Sequence, residues 1–245
     1  MSFYISEDKR VSTPFMASLD GFILTHTYEE VDVPETSLAE KFLPRYETEN
    51  KLDLDSPQNM AFSAGPEHNY IFKYKEHRAM LEAVPVIAEA EEKFAEIFGR
   101  KYTGLIEKYL ADDADYIIVT LGSIAGLCRE TADKFRAEGK RVGVVRIRYM
   151  RPFPAAELAE VLKNAKAAAV LEKDISFGNE GTVYTNVNSA LFKHGVTVPT
   201  YDFIGGLGGR NISAADIENI FGTIEKGTDK KVNFIGIEVD ENERD

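Results

Sequence analysis

Three polar or glycine-rich segments, each directly after an apolar run, hold residue types that could do chemistry. The first is Gly122-Ser123-Ile124-Ala125-Gly126. It is similar to the turn that carries a hydrolase nucleophile, but Ser123 stands one place too early for G-x-S-x-G, and His194 is the only histidine after Asp112. We therefore interpret the segment as a tight strand-to-helix turn with Ser123 near the cap. The alternative is an anion held at the helix N-terminus.

The second segment is a glycine turn, Gly205-Gly206-Leu207-Gly208-Gly209-Arg210. Its position between a predicted strand and a predicted helix is typical of phosphate binding. However, Asn211 stands where the dinucleotide fingerprint needs its third glycine, and no Gly-Lys-Ser/Thr element is present. We interpret Gly206 and Gly208 as allowing close approach of a neighbouring chain, and a phosphate contact through Arg210 remains the alternative.

The third segment is Lys173 to Gly181, a polar loop that contains an aromatic residue, Phe177, between Ser176 and Gly178. Loops of this kind serve as interfaces as often as active sites. The arginines at and after the second predicted strand could bind an anion or pair with the many carboxylates of the chain; they are Arg146, Arg148 and Arg151.

A fourth polar cluster is Asp20-Gly21-Phe22 with His26. His26 could act as a base or could satisfy a backbone carbonyl. His68 and His77 are isolated, and no pair of histidines has metal-ligand spacing, so no metal site is predicted. The carboxylates form no informative pair, and the sequence contains no complete catalytic constellation.

The elements that position these loops alternate between strand and helix after Asp112. Continuous apolar runs at 116–120, 142–147 and 167–171 are typical of strands buried on both faces of a parallel sheet. Further strands are predicted at 196–204, where Pro199 indicates an edge, and at 232–239. Helices are predicted between them, the last capped by Ser213. The fold class is therefore α/β, with a doubly wound, mostly parallel sheet.

The chain before this domain has a different character. Residues 31–69 form a proline-rich segment that predicts an extended arm lying across another surface. Residues 70–112 are predicted to be a helical linker, with the helix kinked or split at Pro85 and ending at Gly99. The α/β domain spans 113–239, and an acidic tail follows at 240–245.

Composition excludes several classes of protein. Lysine and arginine number 29 against 41 aspartates and glutamates, a net charge of −12 that disfavours nucleic acid or an anionic membrane as partner. The single cysteine, Cys128, excludes a disulfide framework and an iron–sulfur cluster held by this chain alone, and it fits a reducing cytoplasm. The first residues lack the pattern of a signal peptide, and no segment is apolar for long enough to span a bilayer.

Taken as an ordered set, several segments resemble the alpha subunit of the pyruvate:ferredoxin oxidoreductase (pyruvate synthase) family. The resemblance covers about Tyr4 to Ile237 and rests on residues 19–28, 33–34, 42–44, 95–102, 119–126, 146–154, 172–178 and 205–212. It implies an enzyme subunit of a 2-oxoacid:ferredoxin oxidoreductase, inactive when isolated, whose α/β domain is similar to the C-terminal domain of transketolase. Residues 1–30 would be the last strand and exit of an N-terminal domain that holds the thiamine pyrimidine.

The resemblance also implies cofactors and partners outside this chain. The cofactors are thiamine diphosphate, Mg²⁺, 4Fe–4S clusters and coenzyme A. The partners are thiamine-diphosphate-binding, iron–sulfur and gamma-type subunits, the missing N-terminal alpha domain and, through the complex, ferredoxin. No catalytic residue is carried over. Interface or site-access roles are expected for Asp20, His26, Gly122, Ser123, Arg151, Ser176, Phe177, Gly178, Gly206, Gly208 and Arg210.

Two other functions stay open. A scaffold or docking module without an active site would use the same loops for protein contacts. An independent protein that binds coenzyme A or a nucleotide would use the turn from Gly205 to Arg210 against phosphate. The arm at 31–69 favours a chain that works with partners, because an extended segment has little to do on a lone domain.

Overall fold

A computed structural model describes residues 1–21, 23–48 and 50–237. The described chain forms two compact units, one from residues 1–18 and 28–104 and the other from 19–27 and 105–237. The acidic tail at 240–245 and Phe22 of the fourth polar cluster lie outside the described residues.

The first unit is helical. Its helices are α1 (Ser2–Ser6), α3 (Thr36–Phe42) and α4 (Pro66–Phe98), with α2 (Ile23–His26) in the second unit. Phe42 is buried among aromatic rings, with the ring of Tyr4 at 5.2 Å and that of Phe94 at 5.4 Å. Arg10 donates to Glu89 on α4 at 2.6 and 2.8 Å.

Two predictions for this region were wrong, and a third was wrong in part. The arm at 31–69 is not wholly extended, because α3 lies within it and α4 begins at Pro66. The described part of 1–30 contains no strand. Of the kink or split predicted at Pro85, the split does not occur, because helix α4 continues through Pro85. Pro85 and Leu81 lie on the exposed face, so water reaches the carbonyl that the proline leaves without a donor. The predicted end at Gly99 is confirmed by its φ of 68°.

The second unit confirms the α/β fold class, with a six-stranded sheet in the order β1-β3-β2-β4-β5-β6. Strands β2 to β6 run parallel, and β1 is antiparallel to β3 at one edge. The strands are β1 (Ile106–Tyr109), β2 (Tyr116–Leu121), β3 (Val142–Ile147), β4 (Ala167–Glu172), β5 (Thr200–Ile204) and β6 (Val232–Phe234).

Helices cover both faces of this sheet, which is why its central strands are apolar throughout. The helices are α5 (Ile124–Ala137), α6 (Ala155–Leu162), α7 (Thr182–Lys193) and α8 (Ala214–Lys226). One core contains Cys128 of α5 and Phe221 of α8; the other contains Leu158 of α6 and Val187 of α7. Ser213 caps α8 through a reciprocal pair of bonds with Asp216, as predicted.

The edges of the sheet were predicted less well. Strand β1 lies inside the region predicted to be a helical linker, 70–112. It was not predicted as a strand because its Ile-Glu-Lys-Tyr sequence is half polar. The prediction that Pro199 marks an edge strand was wrong, since β5 lies between β4 and β6. Pro199 precedes the strand, and its carbonyl still accepts from Ala168 at 2.9 Å. Strand β6 is shorter than the predicted 232–239, and residues 238 and 239 lie outside the described residues.

Candidate functional site at the carboxyl edge of the sheet

The sheet has a topological switch point between its central strands β2 and β4. The chain leaves β2 through α5 on one face and leaves β4 through α7 on the other. Open parallel sheets bind ligands in the crevice at this point, outside the carboxyl ends of the strands. The loops that begin at Gly122 and Lys173, both named from the sequence, flank this crevice.

Asp20 bridges the loops after β2 and β4. Its Oδ2 accepts hydrogen bonds from the Ser123 hydroxyl and, at 3.3 Å, from the Ser123 N–H at the start of α5. The Lys173 ammonium lies 3.5 Å from its Oδ1. The bonds from Ser123, followed by the charge of Lys173, hold the pKa of the Asp20 carboxyl below its usual range. The Ser123 hydroxyl thus donates to a carboxylate whose lowered pKa makes it a weak general base.

The glycine turn lies against the same cluster. Gly206 has a φ of 74°, and a Cβ placed on it would come within 3.1 to 3.2 Å of the Lys173 side-chain carbons. Gly208 also has a positive φ, of 65°. The Arg210 guanidinium donates to the carbonyl of Gly236. Gly206 therefore allows the Lys173 side chain to approach the turn closely within the same unit, whereas Arg210 binds a backbone carbonyl of its own chain.

The remaining loop residues have separate contacts. Arg151 donates to Asn186 on α7 at 3.1 Å and to the carbonyl of Met150 at 2.6 Å. Ser176 donates its N–H to the carbonyl of Glu180 at 3.1 Å, and Gly178 has a φ of 82°. Within this turn Phe177 is 94% exposed.

His26 lies at the end of α2, where its Nδ1 is 3.3 Å from the Thr25 hydroxyl. The side chain is exposed. Asp20, Ser123 and Lys173 thus form one cluster, whereas Arg151 hydrogen-bonds to Asn186 on α7.

Sequence reasoning missed two buried carboxylates behind this edge. Glu172 is the last residue of β4 and Asp202 lies within β5, and both accept hydrogen bonds from the first turn of α7 and the residue before it. Burial raises the pKa of Glu172 to about 7 and that of Asp202 to about 6. The available signal was a charged residue inside each of two otherwise apolar strands.

The described residues do not fit a metal-bound diphosphate or a cluster. Within 1–21, 23–48 and 50–237, no group of three or more histidine, cysteine, aspartate or glutamate side chains is placed to hold a metal ion. Cys128 is fully buried, and burial raises the pKa of its thiol to about 12, so it is not a thiolate ligand. No described helix is both long and apolar enough to cross a membrane.

Comparison with known proteins places this architecture in a family. Residues 1–92 match the family described as pyruvate flavodoxin/ferredoxin oxidoreductase, thiamine diP-binding. Residues 114–217 match pyruvate:ferredoxin oxidoreductase core domain II.

Curated relatives match almost the whole chain. The pyruvate synthase subunit PorA of Methanosarcina barkeri is 38% identical over 97% of this chain and 58% of its own length. PorA of Methanothermobacter thermautotrophicus is 40% identical over 97% of this chain and 60% of its own. The ketoisovalerate oxidoreductase subunit VorA of Pyrococcus abyssi is 37% identical over 92% of this chain and 57% of its own. The chain thus spans about three fifths of the relatives it matches.

Solved structures give more distant matches. A 2-oxoglutarate:ferredoxin oxidoreductase from Magnetococcus marinus aligns with a TM-score of 0.40 and 19% identity, covering 67% of this chain and 24% of that one. A split-gene transketolase aligns with a TM-score of 0.41 and 18% identity, covering 60% of this chain and 55% of that one.

The matches in sequence agree with the order of segments on which the resemblance rests. Two family descriptions are matched in succession, and the identity to PorA extends over both units of the chain. The chain therefore belongs to the pyruvate:ferredoxin oxidoreductase family.

Proposed function

We propose that this chain is part of a thiamine-diphosphate-dependent 2-oxoacid:ferredoxin oxidoreductase that acts on pyruvate. Such a complex converts pyruvate, coenzyme A and oxidised ferredoxin into acetyl-CoA, carbon dioxide and reduced ferredoxin. The observation that carries the proposal is the 38% to 40% identity to pyruvate synthase subunits over 97% of the chain. Thiamine diphosphate supplies the electron sink for loss of carbon dioxide when it is bound in the complex.

The proposed role of this chain is to shape the access to the active site. Asp20, Ser123 and Lys173 hold the loops after β2 and β4 together, and Lys173 also packs against the turn at Gly206. These contacts fix the shape of the surface at the carboxyl edge of the sheet. We therefore expect the isolated chain to have no oxidoreductase activity.

The proposed partners are the other subunits of the complex, which carry the cofactors. Support comes from helix α4, whose N-terminal half exposes large side chains: Tyr70 is 79% exposed, Tyr74 is 58% and Phe72 is 44%. Clustered exposed aromatic residues are typical of interfaces. Thiamine diphosphate, Mg²⁺, the 4Fe–4S clusters and coenzyme A would be held by these partners in the cytoplasm.

Reconstitution tests the proposal. The chain is combined with the thiamine-diphosphate-binding, iron–sulfur and gamma-type subunits from the same source and with the N-terminal alpha portion. We expect ferredoxin reduction that requires pyruvate, coenzyme A and this chain together. Equal activity with and without the chain, in a complex that assembles in both cases, contradicts the proposal.

A branched-chain 2-oxoacid is the second candidate substrate, because VorA is 37% identical over 92% of the chain. The same reconstituted complex decides between them. The ratio of kcat/KM for pyruvate to that for ketoisovalerate is expected to exceed one, and the reverse ratio assigns the complex to the branched-chain substrate.

A further inference from the structure

Two acidic side chains are buried side by side under one end of helix α7. Glu172 is 2% exposed and Asp202 is fully buried. In the register of β4 and β5, Asp202 lies opposite Val170, two residues before Glu172. Alternate residues of a strand face the same side, so both carboxylates emerge on the face that α7 covers.

Both carboxylates accept hydrogen bonds from the start of α7. Glu172 accepts from the N–H groups of Val183 and Tyr184, each at 2.8 Å. Asp202 Oδ2 accepts from the N–H of Gly181 at 2.7 Å. A Cβ placed on Gly181 would lie 2.2 Å from a Glu172 oxygen and 3.0 Å from Asp202 Oδ2. Both acids thus converge on Gly181, where only glycine leaves room for them.

The charges that face this pair are negative. Asp174, just after β4, raises the pKa of both acids, and Glu180, just before α7, raises that of Asp202. Lys231, just before β6, places its ammonium 4.5 Å from the centre of the Tyr201 ring. Across the described ranges no ion pair joins either acid to a cation, and Lys173 pairs with Asp20.

Two neighbouring uncharged side chains, Asn233 and Tyr184, donate hydrogen bonds to backbone carbonyls and not to the two carboxylates. Asn233 on β6 donates to the backbone carbonyl of Asp202, at 3.1 Å, and the Tyr184 hydroxyl donates to the carbonyl of Thr200 at 3.2 Å. Asp202 Oδ1 is buried, with no hydrogen-bond partner among the described residues. One of the four carboxylate oxygens therefore lacks the donor that a buried anion needs.

Two negative charges are costly in this position. A helix N-terminus supplies about half a positive charge, which does not balance two buried carboxylates. Desolvation is the main cause of the raised pKa of both groups, and proximity couples their titration, so the pair titrates as a unit. Retention of a single proton removes one of the two charges.

We propose that Glu172 and Asp202 form a proton-binding site that holds one proton at neutral pH, and that loss of this proton loosens the turn at 173–181. This inference concerns the chain itself and does not depend on the proposed enzymatic activity. The turn starts directly after Glu172 and ends at Gly181, whose N–H is bound by Asp202. It carries the exposed Phe177 at the edge of the candidate site.

Unfolding by urea across pH 5 to 8 tests the first part, using the full chain. Carboxyls with a raised folded-state pKa bind more protons when folded, so their contribution to stability falls as pH rises towards the folded pKa of about 6 to 7. We expect the midpoint of the wild-type chain to fall over this range, and that of Asp202→Asn or Glu172→Gln to fall less. Tyr184→Phe is the matched control, because it removes a bond beside the site and no carboxyl group; it should keep the wild-type slope.

Two further measurements complete the test. The infrared spectrum at neutral pH should show a protonated carboxyl band that is weaker or absent in Asp202→Asn and Glu172→Gln. Hydrogen exchange, corrected for its intrinsic pH dependence, should show earlier loss of protection with rising pH at Gly181, Val183 and Tyr184 in the wild type than in Asp202→Asn.

Equal pH slopes in the wild type and both acid variants overturn the proposal. If neither variant folds, a wild-type spectrum without a protonated carboxyl band at neutral pH overturns it, and a band that disappears between pH 6 and 8 supports it. Unchanged protection of the three amides across this range overturns the link to the turn.

Discussion

Two helices of the α/β unit begin beside acidic side chains, and the two ends have opposite electrostatics. At α5, Asp20 accepts from Ser123 and has Lys173 as a cation, and its pKa is lowered. At α7, Glu172 and Asp202 accept from backbone N–H groups, and no cation in the described part of the chain pairs with either acid. Burial raises the pKa of both.

The comparison shows that hydrogen bonding to a helix N-terminus does not by itself decide the charge of a carboxyl group. All three acids receive backbone N–H bonds, which favour the charged form. At α5 the hydrogen bond from the Ser123 hydroxyl, the Lys173 ammonium and contact with water keep that form stable. Desolvation and the second acid outweigh the same bonds at α7.

The largest expected difference comes from filling the space at the glycine before each helix. Gly181→Ala places a Cβ 2.2 Å from Glu172, and we expect a loss of about 3 kcal/mol from overpacking. Gly122→Ala meets its nearest atom, on Asp20, at 3.7 Å, so only the backbone strain at its φ of 72° remains, about 1 kcal/mol. Urea unfolding at pH 7 measures both.

Gly222→Ala in α8 is the control for these two variants, because a Cβ there has no neighbour within 4 Å. It should be neutral or stabilising, since alanine favours a helix over glycine by about 1 kcal/mol. If Gly181→Ala costs no more than Gly122→Ala, the packing of the two acids on Gly181 is not as described.

The second difference is the sign of the pH dependence. We expect Asp20→Asn to lower the free energy of unfolding by about 1 kcal/mol at pH 7, because partial contact with water weakens the interactions of this carboxylate. Because the pKa of Asp20 is lowered in the folded state, this contribution is present above the unfolded pKa and is lost as pH falls through the folded one. The gap in urea midpoint between wild type and Asp20→Asn should therefore close on acidification. A gap that widens would contradict the assignment of Asp20 as the charged partner.

A smaller effect is expected from the cation. Lys173→Met keeps the stem that packs against Gly206 and removes the ammonium near Asp20. We expect a loss of about 0.5 kcal/mol in low salt, which disappears in about 1 M salt because a partly exposed pair is screened. A loss of equal size at both salt concentrations would assign the effect to packing.

The smallest effect on stability is expected at the tip of the turn. Phe177→Ala removes a ring that is 94% exposed, so the free energy of unfolding of the variant should match that of the wild type within about 0.5 kcal/mol. Under the proposed interface role, the same variant should bind the other subunits less tightly, as measured by native mass spectrometry. Unchanged assembly would remove Phe177 from the interface.

The central strands were predictable because each is a continuous apolar run. Strand β4 is buried along its whole length, and its six residues include three consecutive alanines. Strand β1 was not predictable in the same way, since the pattern Ile-Glu-Lys-Tyr is consistent with a helix end, a loop or an edge strand. Only its pairing with β3 makes it a strand.

The carboxyl-edge loops were predictable from strand order alone, but their contacts were not. Asp20 lies 103 residues before Ser123 in the sequence, and nothing local to either residue indicates the hydrogen bond between them. Glu172 and Asp202 become neighbours because β4 and β5 are adjacent, and they share α7 because that helix crosses over both. A charged residue in an apolar strand was the local signal, and the identity of its partner depended on topology.

The most direct test of the proposed function is a native purification of this chain from its source organism, with mass spectrometry of all proteins recovered with it. The proposal predicts that thiamine-diphosphate-binding and iron–sulfur subunits co-purify with the chain in constant ratio. Recovery of the chain as a lone monomer, under conditions that keep other multi-subunit oxidoreductases intact, would contradict it.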